Sequence, residues 1–98
     1  MNVRELNAGV QEELANRGWC KRTLENEAGE VCLVGALYCA TTDDRDLSTR
    51  RAWKRAVQQV IMDNYPDRSP HGNLVHFNNH MDTTRAELDA VLEKVGAQ

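Results

Sequence analysis

The chain has 98 residues, 41% of them hydrophobic and 28% charged, and a formal net charge of −3. That length suits a single domain over residues 1–98 with one modest core. No apolar run approaches the ~20 residues that cross a bilayer, and an acidic balance argues against a dedicated nucleic-acid binder, which carries a basic excess.

The first element in chain order is an amphipathic helix. Asn2 with Glu5 three residues on makes a capping box. Val3, Leu6, Val10 and Leu14 recur at helical spacing, with Glu5, Gln11, Glu12, Glu13 and Arg17 largely opposite. Gly18 supplies the stop. From Trp19 the pattern predicts a tight antiparallel hairpin: Thr23 and Leu24 on one side, Asn26-Glu27-Ala28-Gly29 as the turn, and Val31, Cys32 and Leu33 on the other. Asn opening a type I turn bonds its own backbone, and the closing Gly accepts positive φ. An isolated hairpin is marginal in water, so it has to lean on helices. The small residues of Val34–Ala40 read as a short buried helix, with Gly35 making a tight junction.

Thr41–Asp46 is a polar loop. Leu47 and Ser48 read as a staple residue and an N-cap. The strongest periodicity follows, Trp53, Ala56, Val57, Val60 and Ile61. Pro66 restricts Tyr65 to extended geometry and ends this helix near Asn64. Pro66–Asn73 is a loop, Leu74–Phe77 fits either an extended piece or a helical turn, and Asn78 and Asn79 mark a turn. Thr84 and Glu87 form a second capping box, Leu88, Val91, Leu92 and Val95 carry the last apolar face, and Gly96 closes it. The fold class expected is α+β: three main helices, one short helix and a two-stranded antiparallel hairpin.

Chemistry-bearing residues are scattered. Cys20, Cys32, Cys39, His71, His76 and His80 are metal-ligand types, but no close C-x₂₋₄-C pair exists, and His76-x₃-His80 spans Asn78-Asn79. The odd cysteine count predicts free thiols in a reducing compartment. A nucleophilic cysteine needs a base and an orienting group, and no local signature links Cys39 to His71 or His80. No catalytic residue, metal or cofactor is therefore expected. Arg50, Arg51, Lys54 and Arg55 crowd the first two turns of the third helix, with Arg45 just upstream. They oppose the helix dipole there, which marks them as a candidate partner-binding face, unless Asp43, Asp44 and Asp46 merely screen a solvated surface.

Gly18-Trp19-Cys20, Leu24, Gly29, Val31-Cys32-Leu33 and Gly35-Ala36-Leu37 together resemble a family of small uncharacterised actinobacterial and mycobacteriophage proteins, with the pattern G-W-C, then V-C-L-x-G-A-L, then W-N-D and T-x-x-E-V. Phe77-Asn78-Asn79 and Thr84-Arg85-Ala86-Glu87-Leu88 resemble the second block. Phe77 stands where the family has Trp and Asn79 where it has Asp, which removes a carboxylate from that position. The resemblance implies a phage-encoded protein in an actinobacterial host, and no established activity.

Met1–Glu5 has no basic-then-apolar layout, so a cytoplasmic location is expected. The leading expectation is a non-enzymatic phage accessory protein that binds a host protein, with no membrane role. The alternatives are a nucleic-acid-associated regulator using the basic start of the third helix, and a small cysteine- or metal-dependent enzyme.

Overall fold

A computed structural model of the protein describes residues 1–41 and 44–98, Asp44 by its backbone alone. Among the described residues five helices follow one another: α1 (Val3–Arg17), α2 (Leu33–Ala40), α3 (Leu47–Asn64), α4 (Leu74–Asn79) and α5 (Arg85–Gly96), with a 3₁₀ turn at Asp44–Asp46 before α3. The helix starts follow from capping chemistry. Asn2 and Thr84 both form capping boxes, with Glu5 and Glu87 returning to the cap backbone. Asn73 caps α4 by accepting the His76 N–H at 3.0 Å. Cys32 caps α2 in an unusual way, its Sγ accepting the Gly35 N–H at 3.3 Å. α3 begins one residue before the expected Ser48 cap, at Leu47, and Asp46 in the cap position makes no side-chain cap bond. The N-terminal part of the polar loop, Thr42 and Asp43, lies outside the described residues.

α1 packs on α2, α3 and α5, while α4 bridges α2 and α3. One core receives all five helices: Leu6, Val10 and Leu14 from α1, Leu33, Ala36 and Leu37 from α2, Trp53, Val57, Val60 and Ile61 from α3, Phe77 from α4, and Leu88, Val91, Leu92 and Val95 from α5. The apolar stripes read from the sequence on α1, α3 and α5 are thus the faces that are buried. Leu74–Phe77 resolves as helix, and Asn78 and Asn79, expected to mark a turn after it, are its last two residues.

The expected α+β class is overturned. Among the described residues there is no strand, only two isolated bridges, Trp19 with Val31 in parallel sense and Glu25 with Val31 in antiparallel sense. The predicted turn does form. Asn26 Oδ1 accepts from Ala28 N–H and Glu30 N–H at 3.1 and 3.0 Å, and Gly29 has φ 85. What prevents a hairpin is a second reversal at Arg22, a non-glycine residue with φ 73. The chain therefore passes Val31 twice, each time one residue wide. Val31 N–H donates to Gly18 O and its C=O accepts from Cys20 N–H, both at 3.0 Å, while Cys32 N–H turns the other way to Leu24 O at 3.2 Å. Residues 18–32 make a folded-back loop whose two ends, Cys20 and Val31-Cys32, are buried, while residues 22–25 at its turn are exposed.

Gly35 is where this loop meets α2. A Cβ there would run into the Leu24 carbonyl, which is backbone and cannot swing aside. Gly29 differs, since nothing lies within 4 Å of a Cβ and only its positive φ opposes a side chain. Gly35→Ala is expected to cost about 2 kcal/mol or more through overpacking, and Gly29→Ala about 1 kcal/mol through left-handed strain. Urea denaturation of both variants checks the order; Gly29→Ala as the more damaging change would contradict it.

The loop before α4 is tied to α5 by an ion pair. Arg68 donates to both Glu87 oxygens at 2.9 Å and to Thr83 Oγ1 at 3.1 Å. The Arg68 guanidinium, followed by the Thr84 N–H, lowers the Glu87 carboxyl from 4.5 to about 2. A carboxylate held down in the folded state stabilises it fully above its unfolded value, and the gain is lost as pH falls. Glu87→Gln should lower the melting temperature at neutral pH. The gap to the parent protein should close between pH 4.5 and about 2. Thermal scans across that window test this, and a gap that stays constant would disprove it.

Candidate functional site

The best-formed polar constellation lies where the 18–32 loop meets α4, and Asn78 is its centre. Asn78 is 1% exposed, yet every polar atom of its carboxamide is used. Oδ1 accepts the Trp19 indole N–H at 2.7 Å and the Leu33 backbone N–H at 3.0 Å. Nδ2 donates to Cys20 O at 3.2 Å and to Asn79 Oδ1 at 3.1 Å. Trp19, Cys20 and Leu33 come from both ends of the loop, so one side chain on α4 closes it. Its orientation is unambiguous, because two obligate donors face Oδ1 and a carbonyl faces Nδ2.

Asn79 extends the clamp. Its Oδ1 also accepts the Arg22 N–H at 2.7 Å, which holds Arg22 in its left-handed conformation. Lys21 Nζ donates to His80 O and lies 5.3 Å from the Trp19 ring centroid. Beside these contacts is a half-open recess of about 290 Å³. Leu24, Cys32, Val34 and Val75 form its apolar walls, and Arg22, Thr23, Asn78 and Asn79 its polar edge. Leu24 and Val75 are 53% and 48% exposed, so apolar surface continues outside the mouth.

The basic face divides in two. Arg50 is half-buried and donates to Thr41 Oγ1 and Thr41 O at 2.7 and 2.9 Å. Thr41 is the C-cap of α2, so a charge that opposes the dipole of α3 favours that of α2. Lys54, also half-buried, lies 5.9 Å from the Tyr38 ring centroid, with Arg50 at 5.8 Å. Arg51 and Arg55 are exposed. Asp43 and the Asp44 side chain, expected to screen this face, lie outside the described residues.

The cysteines are free; Cys20 and Cys32 are buried and Cys39 is half-buried. Cys20 Sγ donates to Glu30 O at 3.3 Å, and burial pushes its thiol up. That is the opposite of the shift an activated thiolate needs. His76 is inside α4 and His80 is its C-cap, where Nδ1 accepts the Asp82 N–H at 3.1 Å. Among the described residues no three of His, Cys, Asp or Glu come together as a metal site. Among the described residues no helix is long and apolar enough to cross a membrane.

Sequence reasoning treated Asn78 as turn chemistry and missed it as a hub. Asn7 was missed in the same way. It sits on the apolar stripe of α1, 1% exposed, donating to Leu92 O at 2.8 Å and accepting the Trp53 indole N–H at 3.0 Å. A polar residue on an apolar stripe was the available signal for Asn7. For Asn78 it was the resemblance, whose two blocks meet at this side chain.

These features define a small all-helical protein with one core, organised around a clamped loop that borders an apolar recess. The chain belongs to a family of unknown function (DUF6197), which matches residues 1–98 and so extends beyond the blocks that carry the resemblance. No curated protein and no solved structure matches it.

Asn78→Leu leaves the Trp19 and Leu33 N–H groups and the Cys20 carbonyl without their partner. Each unsatisfied buried group costs about 1–3 kcal/mol, so the loss should reach about 3 kcal/mol. Urea denaturation followed by tryptophan fluorescence measures it. A loss below about 1 kcal/mol would show that the loop does not depend on this clamp.

Proposed function

We propose that this protein is a non-catalytic interaction protein that takes a partner polypeptide at the recess between the 18–32 loop and α4. The observation that carries the reading is Arg22. A bulky residue with φ 73 stands at the recess edge, and its strain is sustained by the Asn79 side chain. Strained backbone persists where the surrounding structure over-determines it, commonly at ligand clamps. The exposed Leu24 and Val75 side chains add an apolar contact surface around the mouth. The resemblance to actinobacterial and mycobacteriophage proteins supports a host protein as the partner and a phage accessory role in the host cytoplasm.

A second reading keeps the basic face. Arg51 and Arg55 are exposed one turn apart, and the half-exposed Tyr38 ring lies near Arg50 and Lys54. An aromatic ring among cations suits stacked bases and phosphates. A nucleic-acid complex through this face would weaken steeply with salt.

Two double variants separate the readings in pull-downs from actinobacterial lysate, each checked for fold by circular dichroism. Leu24→Glu with Val75→Glu alters the recess mouth, and Arg51→Glu with Arg55→Glu reverses the basic face. All four positions are exposed, so each change should shift stability by only about 0.5 kcal/mol. The expected result is loss of the captured protein with the first pair and retention with the second. The reverse result transfers the function to the basic face, and salt-sensitive recovery of nucleic acid would support the regulator.

A further inference from the structure

The recess has a chemical polarity that specifies more than a generic contact. Its apolar walls are Leu24, Val34, Val75 and Cys32. At its edge the carboxamide oxygens are already engaged. Asn78 Oδ1 holds two N–H groups, and Asn79 Oδ1 holds the Arg22 N–H and Asn78 Nδ2. Leu24 O accepts the Cys32 N–H, while the Thr23 hydroxyl gives its one proton to Glu25 O and keeps its oxygen as an acceptor. Because Asn79 Oδ1 faces a backbone donor, the part of that carboxamide left for a ligand is its NH₂ group. Arg22 adds a guanidinium that makes no ion pair with a described residue. Apart from the Thr23 oxygen, the side-chain capacity remaining at the edge is therefore donor, with one full positive charge.

We propose, on the reading that the recess is the binding site, that it captures the C-terminal residue of a partner polypeptide. A branched apolar side chain would fill the walls, and the terminal carboxylate would accept from Arg22 and Asn79. A carboxylate is the acceptor-only group that a guanidinium fork matches in shape and charge, and it carries a single charge into a partly apolar site. The volume of about 290 Å³ suits one side chain with its head group, whereas a helix is about 10–12 Å across. The exposed Leu24 and Val75 side chains extend the apolar surface past the mouth. The residues preceding the terminus lie across them, which is the ground for a polypeptide over a free acid.

Fluorescence polarisation with the purified full chain tests this. The probes are a fluorescein-labelled peptide ending in Val-Leu with a free carboxylate, the same peptide as its C-terminal amide, and a version ending in Val-Ser. Octanoate is the unlabelled competitor. Arg22→Gly is the diagnostic variant, since it removes the guanidinium while glycine adopts φ 73 without strain. The free acid should bind, and amidation should weaken it by about tenfold or more, as loss of a charge-assisted hydrogen bond does. The serine ending should also bind worse, and Arg22→Gly should remove the preference for the free acid over the amide.

Equal binding of acid and amide would overturn the carboxylate contact while leaving the recess as the site, provided Leu24→Glu abolishes both. Octanoate displacing the peptide at the concentration of the peptide itself would overturn the polypeptide occupant in favour of a free aliphatic acid. If no probe binds but Leu24→Glu with Val75→Glu still abolishes capture of the cellular partner, the terminal carboxylate is wrong and the recess reading stands. If capture survives those substitutions as well, both fall.

Discussion

The carboxamide of Asn78 is the interaction on which the distinctive part of this structure depends. Residues 18–32 contain few side chains that reach the core, and the loop has no sheet to supply its backbone partners. Val31 ties the two ends together by backbone hydrogen bonds with Gly18 and Cys20, and one side chain on α4 joins Trp19, Cys20 and Leu33. A buried amide with all its valences filled is stabilising and specific, while the same group half-satisfied is costly. The geometry thus permits one register of loop against helix. That register also sets Arg22, through Asn79, into its left-handed conformation.

Asn7 does for the helical half what Asn78 does for the loop. Both are buried, and both accept a tryptophan indole N–H, from Trp53 and Trp19 respectively. The Asn7 amide also reaches the Leu92 carbonyl, so α1, α3 and α5 are joined at one point within an otherwise apolar core. Hydrophobic burial drives these helices together without fixing their rotation, since it has no direction. The two asparagines add the direction, and each relieves a tryptophan of a buried unpaired N–H.

The basic start of α3 shows how tertiary structure reassigns charge. Within α3 alone, Arg50 stands at the unfavourable end of a dipole. Against α2 it stands at the favourable end and satisfies Thr41. One cation of the four is therefore accounted for by packing, and Lys54 is partly covered beside Tyr38. Strain, free donors and exposed apolar side chains coincide instead at the loop–α4 recess.

Much of the helical framework was legible from local chemistry. Asn2 with Glu5 and Thr84 with Glu87 are capping boxes that operate within four residues. The stripes through Leu6, Val57 and Leu92 follow from helical period alone, and Gly29 follows from the turn that Asn26 opens. Those features need no distant partner. The hairpin was misread because Thr23–Leu24 and Val31–Leu33 have strand-like composition, while strand pairing is a property of two segments in register. The left-handed turn at Arg22 breaks that register, and nothing in an arginine announces it. The recess was equally hidden, since Leu24 and Val75 are far apart in the chain and become neighbours only when Asn78 closes the loop. Local sequence determined where helices begin, end and turn their apolar faces. Tertiary structure alone decided which backbone groups the two asparagines satisfy, because a hydrogen bond across 45 residues, such as that from Leu33 to Asn78, depends on packing that no local pattern encodes.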